Sequence, residues 1–224
     1  KGIGAATARL FSQEGAYIIV TDILSEQGQV LAQELGGEFY QLDVAREDQW
    51  QTLVEVLAKK HGRIDILFNN AGVTGLEHHY GPQDPEYSSL TSWHVVHAIN
   101  LDGVFLGCKY GMQLMKQHGG SIINMSSRSG KVGTPDTCAY ASSKAAVHNH
   151  TKSVALYCAE KKYNIRCNSI CPGAYPNQET ETANAVKDNE FMNRLANKTA
   201  LGRVGHPKDL LGATRFLLSD ESAY

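Results

Sequence analysis

A tyrosine and a lysine stand four positions apart in the segment AYASSKAAVHNH, as Tyr140 and Lys144. Positions four apart on a helix are neighbours on one face, so the phenol and the ammonium would lie together. A nearby positive charge favours the tyrosinate and lowers a pKa that is ordinarily about 10. Such a tyrosine can give a proton to a carbonyl oxygen or take one from an alcohol. The pair therefore indicates acid–base chemistry, although the same spacing also arises by chance on helix surfaces.

Ser127 supports the chemical interpretation, because it ends the predicted strand GGSIINMSS before the tyrosine. Parallel sheets present their sites at the carboxyl ends of strands, where a hydroxyl can hold a substrate oxygen. A nucleophilic serine is the alternative, but no GxSxG elbow surrounds it. Asn100 lies inside a predicted helix, which asparagine disfavours, and its alternative is a buried, hydrogen-bonded polar residue. Arg128 either binds an anionic substrate group or is a solvated surface arginine.

A glycine turn from Gly2 to Gly4 opens the first predicted helix, whose free N–H groups and positive end suit a pyrophosphate. Asp22 ends the following strand, where an acid accepts hydrogen bonds from an adenosine ribose. A carboxylate there repels a ribose 2′-phosphate, so the sequence predicts NAD rather than NADP. Lys1 points the other way, because a cation beside the turn could meet that phosphate.

Helix and strand patterns alternate along the chain and supply the scaffold for these residues. Helical periodicity followed by a short apolar run recurs in AATARLFSQEG and AYIIVTD, SEQGQVLAQELGG and EFYQLDV, and REDQWQTLVEVLAKKHG and IDILFNNAG. A long helix is predicted over residues 90–117, and a last strand over NIRCNSICPG. This alternation, in 224 residues, predicts a single α/β domain built on a doubly wound parallel sheet.

Two segments depart from this pattern. Residues 174–200 are polar and helix-tolerant, and they form either a mobile lid beside the substrate or a plain surface excursion. The chain opens on KGIG without a preceding strand, and no strand follows its last predicted helix near Pro207. A doubly wound sheet needs a strand before the glycine turn, so we expect the chain to be a piece of a longer one, lacking the first and last strands.

Composition narrows the partners and the compartment. A net charge of −2 gives no general attraction for nucleic acid or an anionic membrane, and no run approaches the length of a membrane span. A cytoplasmic location is therefore the default. The five cysteines show no metal or disulfide spacing and are interpreted as small buried residues. His94 and His97 share a helix face, but no HExxH accompanies them, so no metal site is predicted.

The motifs taken together resemble those of the short-chain dehydrogenase/reductase family. The matching segments, in family order over nearly the whole chain, are GIG at Gly2 to Gly4, NNAG at Asn69 to Gly72, Asn100, Ser127, YASSK at Tyr140 to Lys144, and CNSICPG ending in Pro172 and Gly173. The segments SIINMSS and AYASSKAAV are similar to the branch acting on secondary alcohols, ketones and hydroxysteroids. A family threonine that contacts the nicotinamide carboxamide is replaced here by Asn177.

The resemblance implies a Rossmann-like oxidoreductase with specific residue roles. Tyr140 would be the catalytic acid/base, Lys144 would lower its pKa and bind the nicotinamide ribose, Ser127 would orient the substrate, and Asn100 would support a water-linked proton relay. The implied cofactor-binding residues are Gly2, Ile3, Gly4, Asp22, Asp43, Val44, Asn70, Ala71, Gly72, Tyr140, Lys144, Pro172, Gly173 and Tyr175. It also implies a homotetramer built partly from the helices that carry Asn100 and Tyr140.

The expected activity is hydride transfer between NAD(H) and a secondary alcohol or ketone. Two alternatives stay open at this point. One is a catalytically silent nucleotide-binding scaffold, because a fold does not prove activity. The other is an epimerase or dehydratase that uses the same tyrosine and retains NAD.

Overall fold

Helices and short strands alternate in the computed structural model, which describes residues 2–77, 80–176 and 189–223. The helices are α1 (Gly2–Gln13), α2 (Ser25–Glu34), α3 (Glu47–Lys60), α4 (Leu90–His97), α5 (Gly103–Met115), α6 (Cys138–Glu160), α7 (Asn189–Asn197) and α8 (Lys208–Leu218). The strands are β1 (Ile19–Asp22), β2 (Glu38–Gln41), β3 (Ile66–Asn69), β4 (Gly120–Met125) and β5 (Ile165–Ile170). Lys1, Asn177 and the 177–188 part of the predicted 174–200 loop lie outside the described residues.

The described strands pair only in parallel and form two hydrogen-bonded groups. β1 pairs with β2, and β4 lies between β3 and β5. The predicted doubly wound parallel α/β architecture is confirmed, with the difference that the described strands do not form one continuous sheet. Each group brings its carboxyl ends to one edge, which is where the predicted site residues follow the strands.

Strand β4 shows why the sheet needs helices on both faces. Ile122 and Ile123 are both fully buried, and successive strand side chains point to opposite faces. Ile122 belongs to a core cluster with residues of α5 and α6, including Val104 and Val147. Ile123 belongs to another cluster that contains Leu210 of α8. Each such side chain contributes roughly 1.5–3 kcal/mol on burial, so the alternation along β4 ties both helical layers to the sheet.

The helix predicted over residues 90–117 contains a π-helical turn, Ala98–Asp102, between α4 and α5. Such turns insert a residue into an α-helix and are common at functional sites. Asn100 is at the centre of this turn and is fully buried. The unfavourable mid-helix position of this asparagine therefore coincides with a real interruption of the α-helical pattern.

The cysteines and histidines fulfil mainly structural roles. All five cysteines are free, but only Cys108, Cys158 and Cys167 are buried, while Cys138 and Cys171 are partly exposed. The interpretation of all five as buried residues is therefore wrong for these two, of which Cys171 follows β5 and Cys138 begins α6.

The His97 ring contacts the Trp93 carbonyl oxygen at 2.9 Å and the Ser142 hydroxyl at 3.1 Å, so it links α4 to α6.

Neither a metal cluster nor a membrane-spanning helix occurs in the described ranges. No group of three or more histidine, cysteine or acidic side chains could hold a metal ion within residues 2–77, 80–176 and 189–223. No helix in the same part of the chain combines the length and apolar character needed to cross a bilayer.

Candidate active site

Polar and small residues line the carboxyl edges of the strands. They are Asp22 at the end of β1, Asp43 and Val44 after β2, Asn70, Ala71 and Gly72 after β3, Ser127 after β4, and Pro172 and Gly173 after β5. This is the edge at which parallel α/β sheets bind ligands, because the connecting loops are free to diverge there. α6 runs behind β4 and β5 and delivers Tyr140 and Lys144 to the same edge.

Ser127, Tyr140 and Lys144 form one cluster. The Ser127 hydroxyl accepts a hydrogen bond from the Ser129 N–H at 3.1 Å and lies near enough to the Tyr140 phenol to act on its pKa. The Lys144 ammonium lies 5.7 Å from the centre of the Tyr140 ring. The structure thus places three of the four side chains that were predicted as catalytic near one another.

Lys144 is anchored by a backbone group that the sequence could not identify. Its side chain is 4% exposed, and Nζ donates to the carbonyl oxygen of Met125 at 2.8 Å. In return, the Ser126 hydroxyl donates to the Lys144 carbonyl oxygen at 2.8 Å. The end of β4 is therefore fixed to α6 by a reciprocal pair of hydrogen bonds. Every residue has a carbonyl oxygen, so the sequence does not show which one Lys144 contacts. Ser126, in contrast, could have been noted as the neighbour of Ser127.

Burial dominates the protonation of the two titratable groups. It lowers the pKa of Lys144 to about 8, because the apolar surroundings disfavour the ammonium. It also raises the pKa of Tyr140 above its ordinary value, and the hydrogen bond from Ser127 partly opposes that rise. Burial thus sets the net direction of the Tyr140 pKa, and the expected lowering by Lys144 stays a prediction. The lysine charge faces the Met125 carbonyl, and the lowering comes from Ser127.

Asn100 holds the loop after β3 against α6. Its Nδ2 donates to the carbonyl oxygen of Val73 at 2.8 Å and to the Ser143 hydroxyl at 3.1 Å, and its Oδ1 accepts from the Val73 N–H at 2.8 Å. These contacts match the alternative interpretation of a buried, hydrogen-bonded amide. The proton relay implied by the resemblance is a separate role, which these contacts do not test. Ser143, which precedes Lys144, was not singled out from the sequence.

Gly72 lets the same loop approach the site closely. A Cβ atom at this position would lie 3.0 Å from Asn100 Oδ1 and 3.3 Å from Lys144 Nζ. Both distances are shorter than ordinary contacts, so a side chain here would press on two groups of the site. Gly72 therefore borders the lysine with bare backbone.

The glycine turn is also in place at the start of α1. Gly2 has φ of 56°, in the left-handed region that favours glycine. A Cβ on Gly4 would lie 2.7 Å from Asn70 Nδ2, so the absence of a side chain lets the helix start and the loop after β3 meet. Ile3 instead packs against the core cluster that contains Ile123. The two glycines thus shape the turn where α1 meets the loop after β3, and Ile3 fixes the start of α1 to the core.

Asp22, Asp43 and Val44 are positioned by local hydrogen bonds. The Asp22 carboxylate accepts from the Leu24 N–H, and the Asp43 carboxylate from the Ala45 N–H, each at 3.0 Å. The Val44 carbonyl oxygen accepts from the Trp50 indole N–H at 2.9 Å. Each aspartate uses one lone pair of a carboxylate in this way and keeps capacity for further donors, such as ribose hydroxyls.

The residues after β5 differ in burial and in what they contact. Pro172 is buried, and its carbonyl oxygen accepts from the Arg128 N–H at 2.9 Å, which connects the ends of β4 and β5. Gly173 is exposed, and Ala71 on the loop after β3 is exposed as well. The Tyr175 ring packs against Gly205, and burial raises its pKa. Tyr175 is thus held by the segment before α8 rather than by the catalytic cluster.

Comparisons with known proteins agree over the whole chain. A family model described as enoyl-(acyl carrier protein) reductase matches residues 1–224. The chain is 36% identical over 229 residues to an NADP-dependent (R)-specific alcohol dehydrogenase of Lentilactobacillus kefiri, covering 100% of this chain and 87% of that protein. It is 36% identical over 227 residues to a 3-alpha-(or 20-beta)-hydroxysteroid dehydrogenase of Mycobacterium bovis, covering 100% and 81%.

A solved structure gives the same result for the fold. The crystal structure of a gluconate 5-dehydrogenase from Burkholderia cenocepacia J2315, in complex with NADP and tartrate, superposes with a TM-score of 0.88 and 30% identity. The match covers 100% of this chain and 86% of that one. All three similar proteins are named dehydrogenases.

Proposed function

The chain belongs to the short-chain dehydrogenase/reductase family and is a hydride-transfer oxidoreductase acting on CH–OH groups, and on that premise we propose that Tyr140 is its acid/base. One observation carries this proposal. The Tyr140 phenol lies beside a buried lysine, at the edge where the strands end, and the neighbouring Ser127 hydroxyl acts to lower its pKa. A phenol in that position can exchange a proton with a substrate oxygen.

The contacts of the other three residues support their proposed roles. The Ser127 hydroxyl neighbours the Tyr140 phenol, so both hydroxyls could hold one substrate oxygen. Lys144 supports the tyrosinate and presents donors to the nicotinamide ribose, while Asn100 keeps the loop after β3 in place. When alcohol is oxidised, Tyr140 takes the hydroxyl proton; when ketone is reduced, it returns that proton to the carbonyl oxygen.

The residues present fit a nicotinamide dinucleotide. Bare backbone at Gly4 and Gly72 leaves a groove that a side chain would narrow. The N-terminus of α1 would receive the pyrophosphate, and Asp22 would accept from the adenosine ribose. Asp43 and Val44 would flank the adenine, and Pro172, Gly173 and Tyr175 would border the nicotinamide. The cofactor supplies or accepts the hydride; the protein positions both partners and moves the proton.

The choice between NAD and NADP rests on two opposing observations. The names of the Lentilactobacillus kefiri protein and of the Burkholderia cenocepacia structure specify NADP, which favours NADP for this chain. The Asp22 carboxylate at the end of β1 favours NAD, because it can accept from a ribose hydroxyl and repels a 2′-phosphate. We retain NAD as the proposal, since Asp22 belongs to this chain and the names describe others.

We expect Asp22→Ala to shift the cofactor preference toward NADP. Loss of the repulsion should raise kcat/KM with NADP, and loss of the ribose acceptor should lower it with NAD. The ratio of the two should change by about tenfold or more, which corresponds to about 1.4 kcal/mol. Steady-state rates with each nucleotide measure this ratio. Glu26→Ala on α2 is the matched control, and an unchanged ratio in Asp22→Ala would show that Asp22 does not recognise the ribose.

The overall activity is tested by absorbance of the reduced nicotinamide. The protein is incubated with NAD and, separately, NADP, against secondary alcohols, steroids, sugars and hydroxy acids. Nucleotide-dependent absorbance with one or more of these compounds is the expected result. Silence across the panel, with nucleotide binding confirmed by calorimetry, would reject the proposed reaction in favour of the scaffold or of an epimerase or dehydratase that retains its cofactor.

We also propose that the protein is cytoplasmic and that residues 174–200 border the substrate.

We further propose that the protein is a homotetramer. Large apolar side chains are exposed on the two helices that the resemblance assigns to the interface: Phe105 on α5, and Leu156 and Tyr157 on α6. Light scattering should give four times the chain mass. Leu156→Glu should lower that mass by placing a charge in an apolar contact, whereas Val30→Glu, on exposed α2, should not. A monomer in the unmodified protein would contradict the proposal.

A further inference from the structure

Arg128 differs from the other arginines in the described part of the chain. Each of the other seven has at least one ion pair, hydrogen bond or other electrostatic or ring contact; they are Arg9, Arg46, Arg63, Arg166, Arg194, Arg203 and Arg215. The Arg128 side chain is exposed and its guanidinium has no ion pair or hydrogen bond with any described residue. A group with five directed donors is thus left unpaired among the described residues, on the residue that follows Ser127.

The backbone of Arg128 is fixed beside the catalytic cluster. Its N–H donates to the Pro172 carbonyl oxygen at 2.9 Å, and its own carbonyl oxygen accepts from the Lys131 N–H at 2.9 Å. The preceding residue is Ser127, whose hydroxyl is itself held by the Ser129 N–H. The guanidinium therefore starts from a rigid turn, one residue from the hydroxyl that would orient the substrate oxygen.

The chemistry of the guanidinium selects the partner. It is planar and permanently charged, and its paired N–H groups match the two oxygens of a carboxylate. Lys131, in the same turn, is also exposed, and its side chain has no ion-pair or hydrogen-bond partner among residues 2–77, 80–176 and 189–223. Two exposed cations in one turn produce a local positive potential in a chain whose net charge is −2. An anion arriving at this edge would be attracted, and only Arg128 adjoins Ser127.

We propose that Arg128 binds a carboxylate of the substrate, so that the preferred substrates are hydroxy acids and the corresponding keto acids. The inference rests on the proposed function, because it places the carbinol carbon at Ser127 and Tyr140. One end of the substrate is then fixed by the two hydroxyls and the other by the guanidinium. A neutral alcohol has only the first of these contacts. Arg128 is in this sense a specificity residue that touches substrate without taking part in proton transfer.

The test compares substrates that differ only in charge. The probes are 3-hydroxybutyrate and lactate, each against its methyl ester, measured with the NAD-loaded protein by turnover and by calorimetric binding. The unmodified protein should prefer at least one acid over its ester. Arg128→Met should lower kcat/KM for that acid by about tenfold or more, mainly by raising KM. For the ester, kcat/KM of this variant should stay within about twofold of the unmodified protein. Arg128→Lys should recover part of the loss.

Lys131→Met is the matched control, because it removes a charge from the same turn. It should lower kcat/KM for the acid much less than Arg128→Met does. Equal losses in the two variants would mean that only the general positive field matters, and would overturn the proposal. The absence of an acid preference in both turnover and binding would also overturn it. The proposed function would survive that result if neutral alcohols or esters were still oxidised with NAD.

Discussion

Replacing Tyr140 by phenylalanine should lower kcat by about a thousandfold or more, while the affinity for the nicotinamide nucleotide stays within about threefold. The change removes one oxygen atom and keeps the ring. The half-buried ring therefore keeps its packing on α6, and the Lys144 ammonium stays hydrogen-bonded to Met125. What is lost is the hydroxyl that we propose exchanges a proton with the substrate oxygen.

The pH dependence gives a second readout of the same residue. Alcohol oxidation needs the tyrosinate, and burial raises the pKa of Tyr140. In the unmodified protein kcat/KM for oxidation should therefore rise with pH through the alkaline range, and for ketone reduction it should fall there. The residual kcat/KM of Tyr140→Phe should show neither the rise with pH for oxidation nor the fall for reduction.

Tyr163→Phe is the matched control for this substitution. Tyr163 follows α6, and its ring makes an edge contact with Tyr157, which phenylalanine would preserve. This variant should keep the unmodified rate. A Tyr140→Phe protein with more than about a tenth of the normal kcat would show that another group transfers the proton.

The sequence predicted the main features of the catalytic cluster because they depend on regular periodicity. A spacing of four on a helix places Tyr140 and Lys144 on one face whatever the rest of the fold does. Parallel strands end at one edge, so Ser127 could be assigned there from the end of an apolar run. The same argument placed Asp22 at the end of β1, where the structure has it.

The features that sequence reasoning missed depend on tertiary contacts. The partner of Lys144 is the Met125 carbonyl oxygen, and every residue has such a group. The balance of pKa values depends on how deeply each side chain is buried, which the order of residues does not give. Asn100 was noticed as unfavourable in an α-helix, but the π-helical turn and the contact with Val73 required the three-dimensional arrangement.

Replacing Lys144 by methionine should abolish turnover and at the same time stabilise the protein. Loss of the ammonium would remove its proposed support for the tyrosinate and its proposed contact with the nicotinamide ribose, so kcat should fall by at least about a hundredfold and nucleotide affinity should weaken. Methionine has a similar length and no charge, so it fills the buried space without the cost of desolvating an ammonium.

The stabilisation can be bounded from the pKa of the lysine. A fall from 10.5 to about 8 on folding corresponds to an unfavourable contribution of about 3 kcal/mol when the side chain is charged in both states. The lost hydrogen bond leaves the Met125 carbonyl oxygen without this donor, which costs about 1–3 kcal/mol. The net gain is on the order of 1 kcal/mol, and for a chain of this length it should raise Tm by about 2–4 °C near neutral pH.

The sign of the pH dependence distinguishes this explanation from a general packing effect. Below pH 8 Lys144 is charged in the folded and the unfolded protein, so its full desolvation cost is present. Between pH 8 and 10.5 the folded protein releases the proton first, and the stability contributed by this site rises with pH. The Tm advantage of Lys144→Met should therefore be greatest below pH 8 and shrink through that window. Exposed Lys152, changed to methionine, should alter neither turnover nor this pH dependence. A Tm difference that stayed constant from pH 7 to pH 10 would mean that the lysine is not held at a lowered pKa, and a Lys144→Met protein with normal turnover would remove it from the catalytic set.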